Sequence, residues 1–209
     1  MKLNTLIATA ALATVVAAPA QAALVNDAAL INNSMVVTFD DFDGLETTGP
    51  VAVGTGVTFS GTPSTLGAYI ADLGSNGTWF GNFAATGDSN YTDFGILHFT
   101  FDNAMTAAAG AFLNSYNGGP ILLAAYNAAG TMIEAHFVSV ATDEFSYNEG
   151  SFFGISRANA DIRSIAFGGV GLVADNLTFA APVPEPETYA MLLAGLGLVG
   201  FMARRRSAR

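Results

Sequence analysis

The chain has 209 residues, 51% hydrophobic and 11% charged, with no cysteine and 17 acids against 7 bases, a formal net charge of -10. So apolar a composition excludes a disordered chain, and the lack of cysteine excludes a disulfide framework, a thiolate zinc site and a cysteine nucleophile. So acidic a surface would repel a phosphate backbone, and nucleic acid is not an expected partner.

Five of the seven bases lie at the ends, as Lys2, Arg204, Arg205, Arg206 and Arg209. Between residues 23 and 182 stand 15 acids and only Arg157 and Arg163, a net charge of -13. The N-terminus has Lys2, an apolar run at 6–18 and the small-x-small triplet Ala20-Gln21-Ala22. Charge, apolar run and cleavage site in that order predict a secretory signal peptide over 1–22, helical in the membrane, which signal peptidase removes to leave Ala23. A buried N-terminal helix is the alternative.

From residue 23 onward short apolar-polar alternations predict strands, in chain order at 35–39, 57–60, 68–71, 78–83, 95–101, 109–115, 121–126, 131–140, 162–167 and 173–179. After the first come Asp40, Asp41, Asp43, Gly44 and Glu46. Clustered hard oxygens beside a glycine suit calcium, and the alternative is a turn in which the aspartates accept backbone amides. Asn76-Gly77 marks a turn, and Trp79, Phe80, Phe83 and Tyr91 surround polar loop residues. Trp79 and Tyr91 are candidates for stacking on a sugar, with core packing as the alternative. In 95–101 the residues Leu97, Phe99 and Phe101 share one parity and His98 the other; 104–111 is compatible with a single helical turn. Asn117-Gly118 supplies positive-φ turn residues, and 127–130 would close a hairpin.

In 131–140 the apolar Ile133, Ala135 and Phe137 oppose Glu134 and His136, which places both histidines of the chain on polar parities. The run Gly168-Gly169-Val170-Gly171 reads as a turn between the last two strands. In the last strand Asp175 shares parity with Val173, Leu177 and Phe179. A carboxylate on a buried face needs a partner, so Asp175 joins Asp40, Asp41 and Asp43 as a candidate calcium ligand, with Arg163 as the non-metal alternative. Some ten strands without an internal linker predict one all-β domain over 23–181, an antiparallel sandwich or jelly roll.

No catalytic residues are assigned. The chain has no Gly-x-Ser-x-Gly, P-loop or His-Glu-x-x-His motif. A secreted polysaccharide hydrolase remains the alternative function, and it would need two carboxylates facing each other at roughly 5–10 Å.

The C-terminal segment, 182–209, carries Pro184-Glu185-Pro186, an apolar run at 189–203 and the cluster Arg204, Arg205 and Arg206. The prolines keep Glu185 in an extended segment, and Thr188 can cap a following helix. Fifteen helical residues span about 22 Å, short for a bilayer core of about 30 Å unless the arginines snorkel. The expectation is a short transmembrane helix with its arginines as a cytoplasmic stop-transfer cluster.

This tail resembles a PEP-CTERM sorting signal in all three parts and their order. The resemblance implies a Gram-negative bacterium that makes extracellular polysaccharide, and a membrane-embedded exosortase that recognises Pro184, Glu185 and Pro186 and cuts near them. It further implies transient inner-membrane anchoring, then release to the cell surface or matrix. Phe39-x-x-Phe42 and Asp175-Asn176-Leu177-Thr178-Phe179 loosely resemble the first and last strands of lectin-like ectodomains found ahead of such tails. The expected protein is a non-catalytic exported matrix protein associated with exopolysaccharide in biofilm, with carbohydrate binding as an added expectation.

Overall fold

The structure is a computed structural model. It describes residues 22–39, 41, 47–54, 56–62, 69–72, 82–85, 94–115, 119–140, 150–182 and 193–196, with the backbone alone for 69–72 and 82–85. The strands are β1 (Ala23–Val25), β2 (Ser34–Val37), β3 (Val51–Gly54), β4 (Val57–Gly61), β5 (Tyr69–Asp72), β6 (Asn82–Ala85) and β7 (Phe94–Phe101). They continue as β8 (Ala108–Ser115), β9 (Pro120–Tyr126), β10 (Met132–Ser139), β11 (Ser151–Ser156), β12 (Ser164–Val170) and β13 (Leu172–Ala180). One sheet runs β1-β11-β8-β13-β6-β5, with β2 also paired to β13, and the other runs β10-β9-β12-β7-β4-β3. All pairings are antiparallel, and the expected all-β sandwich is what forms.

Alternation explains the six-stranded sheet. Phe59 of β4, Leu97, Phe99 and Phe101 of β7, Ile121 and Leu123 of β9, and Phe167 of β12 are fully or almost fully buried against the other sheet. The facing strands offer smaller groups, with Ala109, Ala111 and Leu113 from β8 and Ala174 from β13. Large residues on one wall facing small ones on the other let the two layers close to native density. Part of the outer face of the seven-stranded sheet is covered as well: Ile31 lies in a second cluster with Val25, Ala108 and Phe152, and Ala28 of the 3-10 turn Ala28–Leu30 packs against it.

Three strands lie outside the expected set. In β11 Phe152 faces the second cluster while Phe153 and Ile155 face the main core, so burial on both sides erases any period of two. Strands β1 and β3 have only three and four residues, too few for a period to register. Residues 104–107 form no helical turn; Thr106 bridges to Ile162 and β8 follows. Gly168, Gly169 and Val170 belong to β12, and Gly171 alone, at φ +53°, carries the chain into the other sheet.

Two face assignments change. In β13 the register shifts between Asp175 and Thr178, and Asn176 takes φ +49°. This bulge exchanges parities: Leu172 and Ala174 before it, and Leu177 and Phe179 after it, all reach the main core. Asp175 therefore falls on the opposite face. In β10 a shift between Met132 and Glu134 accompanies the reverse of the expected orientation. Phe137 is 75% exposed, whereas His136 is paired in register with buried Leu123 and Val138 with buried Ile121. An edge strand touches the core on only part of one face, so its apolar residues need not point inward.

Residues 1–21 lie outside the described residues. In the tail, 193–196 are helical with Leu193 and Leu196 exposed, and among the described residues no helix is long and apolar enough to cross a membrane.

Candidate functional site

The outer face of the six-stranded sheet is built around a row of small residues. Strand β12 presents Ser164, Ala166 and Gly168 outward, while its Ile165 and Phe167 point into the core. Its neighbours β7 and β9 are roughly 10 Å apart at the usual strand spacing, with β12 between them. Even so, the rings of His98 on β7 and Tyr126 on β9 meet edge to face at 5.6 Å, so both lean across β12. Phe94 leans the same way: a Cβ on Gly168 would lie 2.9 Å from its Cζ. Short side chains on β12 thus make room for rings from both sides, and Ala166 is left 2% exposed beneath them. Burial lowers the His98 pKa from its ordinary value, which keeps this imidazole neutral at pH 7.

Farther out, Phe94 is 52% exposed, and on the rim strand Met132 is 54% exposed beside the still more open Phe137. The polar groups on this face are hydroxyls, with Thr58 and Ser60 from β4 and Thr100 from β7. Among the described residues no Asp, Glu, Lys or Arg of these six strands points outward on this face, although Asp102 accepts from the Thr58 hydroxyl just past the end of β7.

A second constellation closes one edge of the sandwich. Arg157, which follows β11 in one sheet, donates through Nε and Nη2 to the Asp161 carboxylate at 2.6 and 2.8 Å. Its Nη1 lies 3.8 Å from Oε2 of Glu134 on β10 in the other sheet. His136 Nε2 stands 2.9 Å from Glu134 Oε1 but is poorly directed, and this buried nitrogen makes no hydrogen bond. Hydrogen bonding to Asp161 raises the Arg157 pKa, so the guanidinium is a fixed charge joining the sheets. The expectation that His136 faces solvent on a polar parity is therefore corrected. The two acids here are drawn to one arginine, an arrangement suited to a structural ion pair.

Of the expected ion ligands, Asp41 is exposed in a turn, and Asp40 and Asp43 lie outside the described residues. Pairing of β2 with β13 does bring the first part of the fold beside the last. Asp175, however, accepts from the Asn176 amide at 2.6 Å and from its side-chain nitrogen at 3.4 Å. Arg163, just before β12, donates to the carbonyl oxygen of Asp102, just past β7 of the same six-stranded sheet. Among the described residues no three His, Asp or Glu side chains gather as a metal site would require. Trp79, Tyr91, Pro184, Glu185, Pro186, Arg204, Arg205 and Arg206 also fall outside the described residues.

Sequence reasoning did not find the ring-covered face. Its signal was present in β12, where one parity is large and the other only Ser, Ala and Gly.

Comparison with known proteins decides the tail. The model of the PEP-CTERM protein-sorting motif matches residues 182–206. The chain carries a PEP-CTERM sorting motif. The protein is accordingly exported and sorted to the cell envelope, and the motif implies processing by exosortase. No curated protein matches the chain in sequence. Among solved structures, it is similar to the K2 cleaved adhesin domain of Lys-gingipain at 11% identity and TM-score 0.43, covering 71% of this chain and 99% of that one. A DUF4465 family protein from Bacteroides caccae is similar at 12% identity and TM-score 0.40, covering 72% and 100%. A family 29 carbohydrate binding module is similar at 14% identity and TM-score 0.36, covering 70% and 88%.

Proposed function

We propose that the protein is a non-catalytic component of the cell surface or extracellular matrix, delivered by its PEP-CTERM motif and associated there with exopolysaccharide. The match over residues 182–206 carries this proposal, because a sorting motif supports export of the β-sandwich ahead of it. In this scheme the signal peptide 1–22 is removed, the domain 23–181 folds outside the cytoplasm, and the tail 182–209 holds it briefly in the inner membrane. Exosortase then recognises Pro184, Glu185 and Pro186, with Arg204, Arg205 and Arg206 holding the cytoplasmic end. A calcium ion at Asp40, Asp41, Asp43 and Asp175 remains part of the proposal, with Asp175 also accepting locally from Asn176.

Cell fractionation tests this. In a host with exosortase the protein should appear in the surface and matrix fractions, and replacing Pro184, Glu185 and Pro186 by alanine should hold it in the membrane. Release of that triple variant at the wild-type level would end the proposal.

A further inference from the structure

From the charge pattern we infer that the outer face of the six-stranded sheet is a docking surface for an uncharged polysaccharide chain. The inference deepens the proposed association with exopolysaccharide and rests on it. Three observations carry it.

The first is asymmetry. The other sheet is covered in part by Ile31 and, with the turn on it, exposes the non-aromatic Leu24, Leu30, Met35 and Val36, whereas this face leaves the rings of Phe94 and Phe137 open to solvent. The second is charge. The domain has a net charge of -13, yet no acid of the described strands points onto this face, and Asp102, just past β7, reaches only its edge at Thr58. An anionic polymer would meet the repulsion of the whole domain, and no Lys or Arg of the described strands of this face offsets it. Of the two bases of the domain, Arg157 is held in its ion pair across the sandwich, and Arg163, at the end of this sheet, donates to the carbonyl of Asp102, whose own carboxylate lies close by. A neutral polymer meets neither penalty.

The third is chemistry. Sugar rings combine apolar C–H faces with hydroxyl edges, and this surface matches both. It offers exposed aromatic rings, whose faces suit C–H groups, and on the same face the hydroxyls of Ser60 and Thr100. A neutral His98 keeps the centre uncharged and able both to donate and to accept a hydrogen bond. The face also extends over several strands, which suits a chain of sugars more than a single one.

Native affinity electrophoresis and titration calorimetry of the mature protein test the inference, with hydroxyethyl cellulose as the neutral probe and alginate as the anionic one. The neutral polymer should bind, and alginate should not at low salt. Phe94→Ala and Phe137→Ala should each weaken binding by roughly tenfold, the loss of one anchoring ring, at unchanged melting temperature for the exposed Phe137. Gly168→Ala should weaken it too, because the new methyl displaces the Phe94 ring while keeping it in the chain. Wild-type binding in all three variants would overturn the face while leaving the association with polysaccharide intact. Alginate binding as strong as that of the glucan would overturn the inference, because the face would then not select an uncharged chain. Failure of both polymers would overturn the docking surface and the association together. If sedimentation shows instead that the variants abolish a dimer, the occupant is a second copy of the chain and the inference fails.

Discussion

Replacing Phe99 by alanine should cost more stability than any other single truncation in the six-stranded sheet. The side chain is fully buried at the middle of β7, and its ring lies 5.5 Å from Phe59, 5.8 Å from Phe39 and 6.1 Å from Phe167. Truncating a buried Phe costs about 3–5 kcal/mol from lost transfer energy and the cavity left behind. Three tilted ring contacts vanish with it, which places the expected cost in the upper half of that range. For a domain of this size, about 4 kcal/mol lowers the melting temperature by roughly 8–16 °C. Phe137→Ala is the internal control: it removes the same atoms from an exposed site and should cost less than about 0.5 kcal/mol. Urea denaturation of both variants, with slopes compared to detect a changed unfolded state, gives the two numbers. Equal losses would refute the face assignment of β7 and β10, and a loss below about 1 kcal/mol at Phe99 would refute the shared aromatic core.

Gly110→Ala should destabilise by about 3 kcal/mol in chemical denaturation, because its Cβ would lie 2.6 Å from the backbone of Gly154 and Phe153, where overpacking has no flexible side chain to move. Arg157→Gln should cost about 2 kcal/mol, between exposed and fully buried ion pairs, since the arginine side chain is 13% exposed and two carboxylates lose their partner; unchanged stability would show the sheets are not joined there. Burial lowers the His98 pKa in the folded protein, so below about pH 6.5 the unfolded chain takes up this proton more readily and stability falls as pH drops. His98→Gln should remove that part of the pH dependence between pH 7 and 5, and an unaltered profile would show that His98 is not its source.

The sequence resolved this fold wherever a strand has one buried face. Strand β7 is the clearest case, since Leu97, Phe99 and Phe101 alternate with half-buried residues throughout. Prediction failed where a local irregularity breaks the count of two. The bulge in β13 moved Asp175 off the core face, and no residue type in Asp175-Asn176-Leu177 announces the extra residue except Asn176, which tolerates positive φ. In β10 Ala135 and Phe137 exchanged faces with Glu134 and His136, and Glu134 meets Arg157, 21 residues later than His136, across the sandwich. Such a partner is set by topology and leaves no trace in spacing. The ring-covered face depended on three strands lying side by side in the order β9-β12-β7, which the chain order does not reveal. The tail was legible because its three parts are contiguous and need no folding to recognise.

The claim that the PEP-CTERM motif directs this protein is tested most directly by the intact mass of the protein recovered from outside the cells of an exosortase-containing host. The mass should correspond to a chain that begins at Ala23 and lacks the residues following the Pro184-Glu185-Pro186 element. A mass that includes the apolar run and Arg204, Arg205 and Arg206 would show that the tail is retained and that exosortase does not process it.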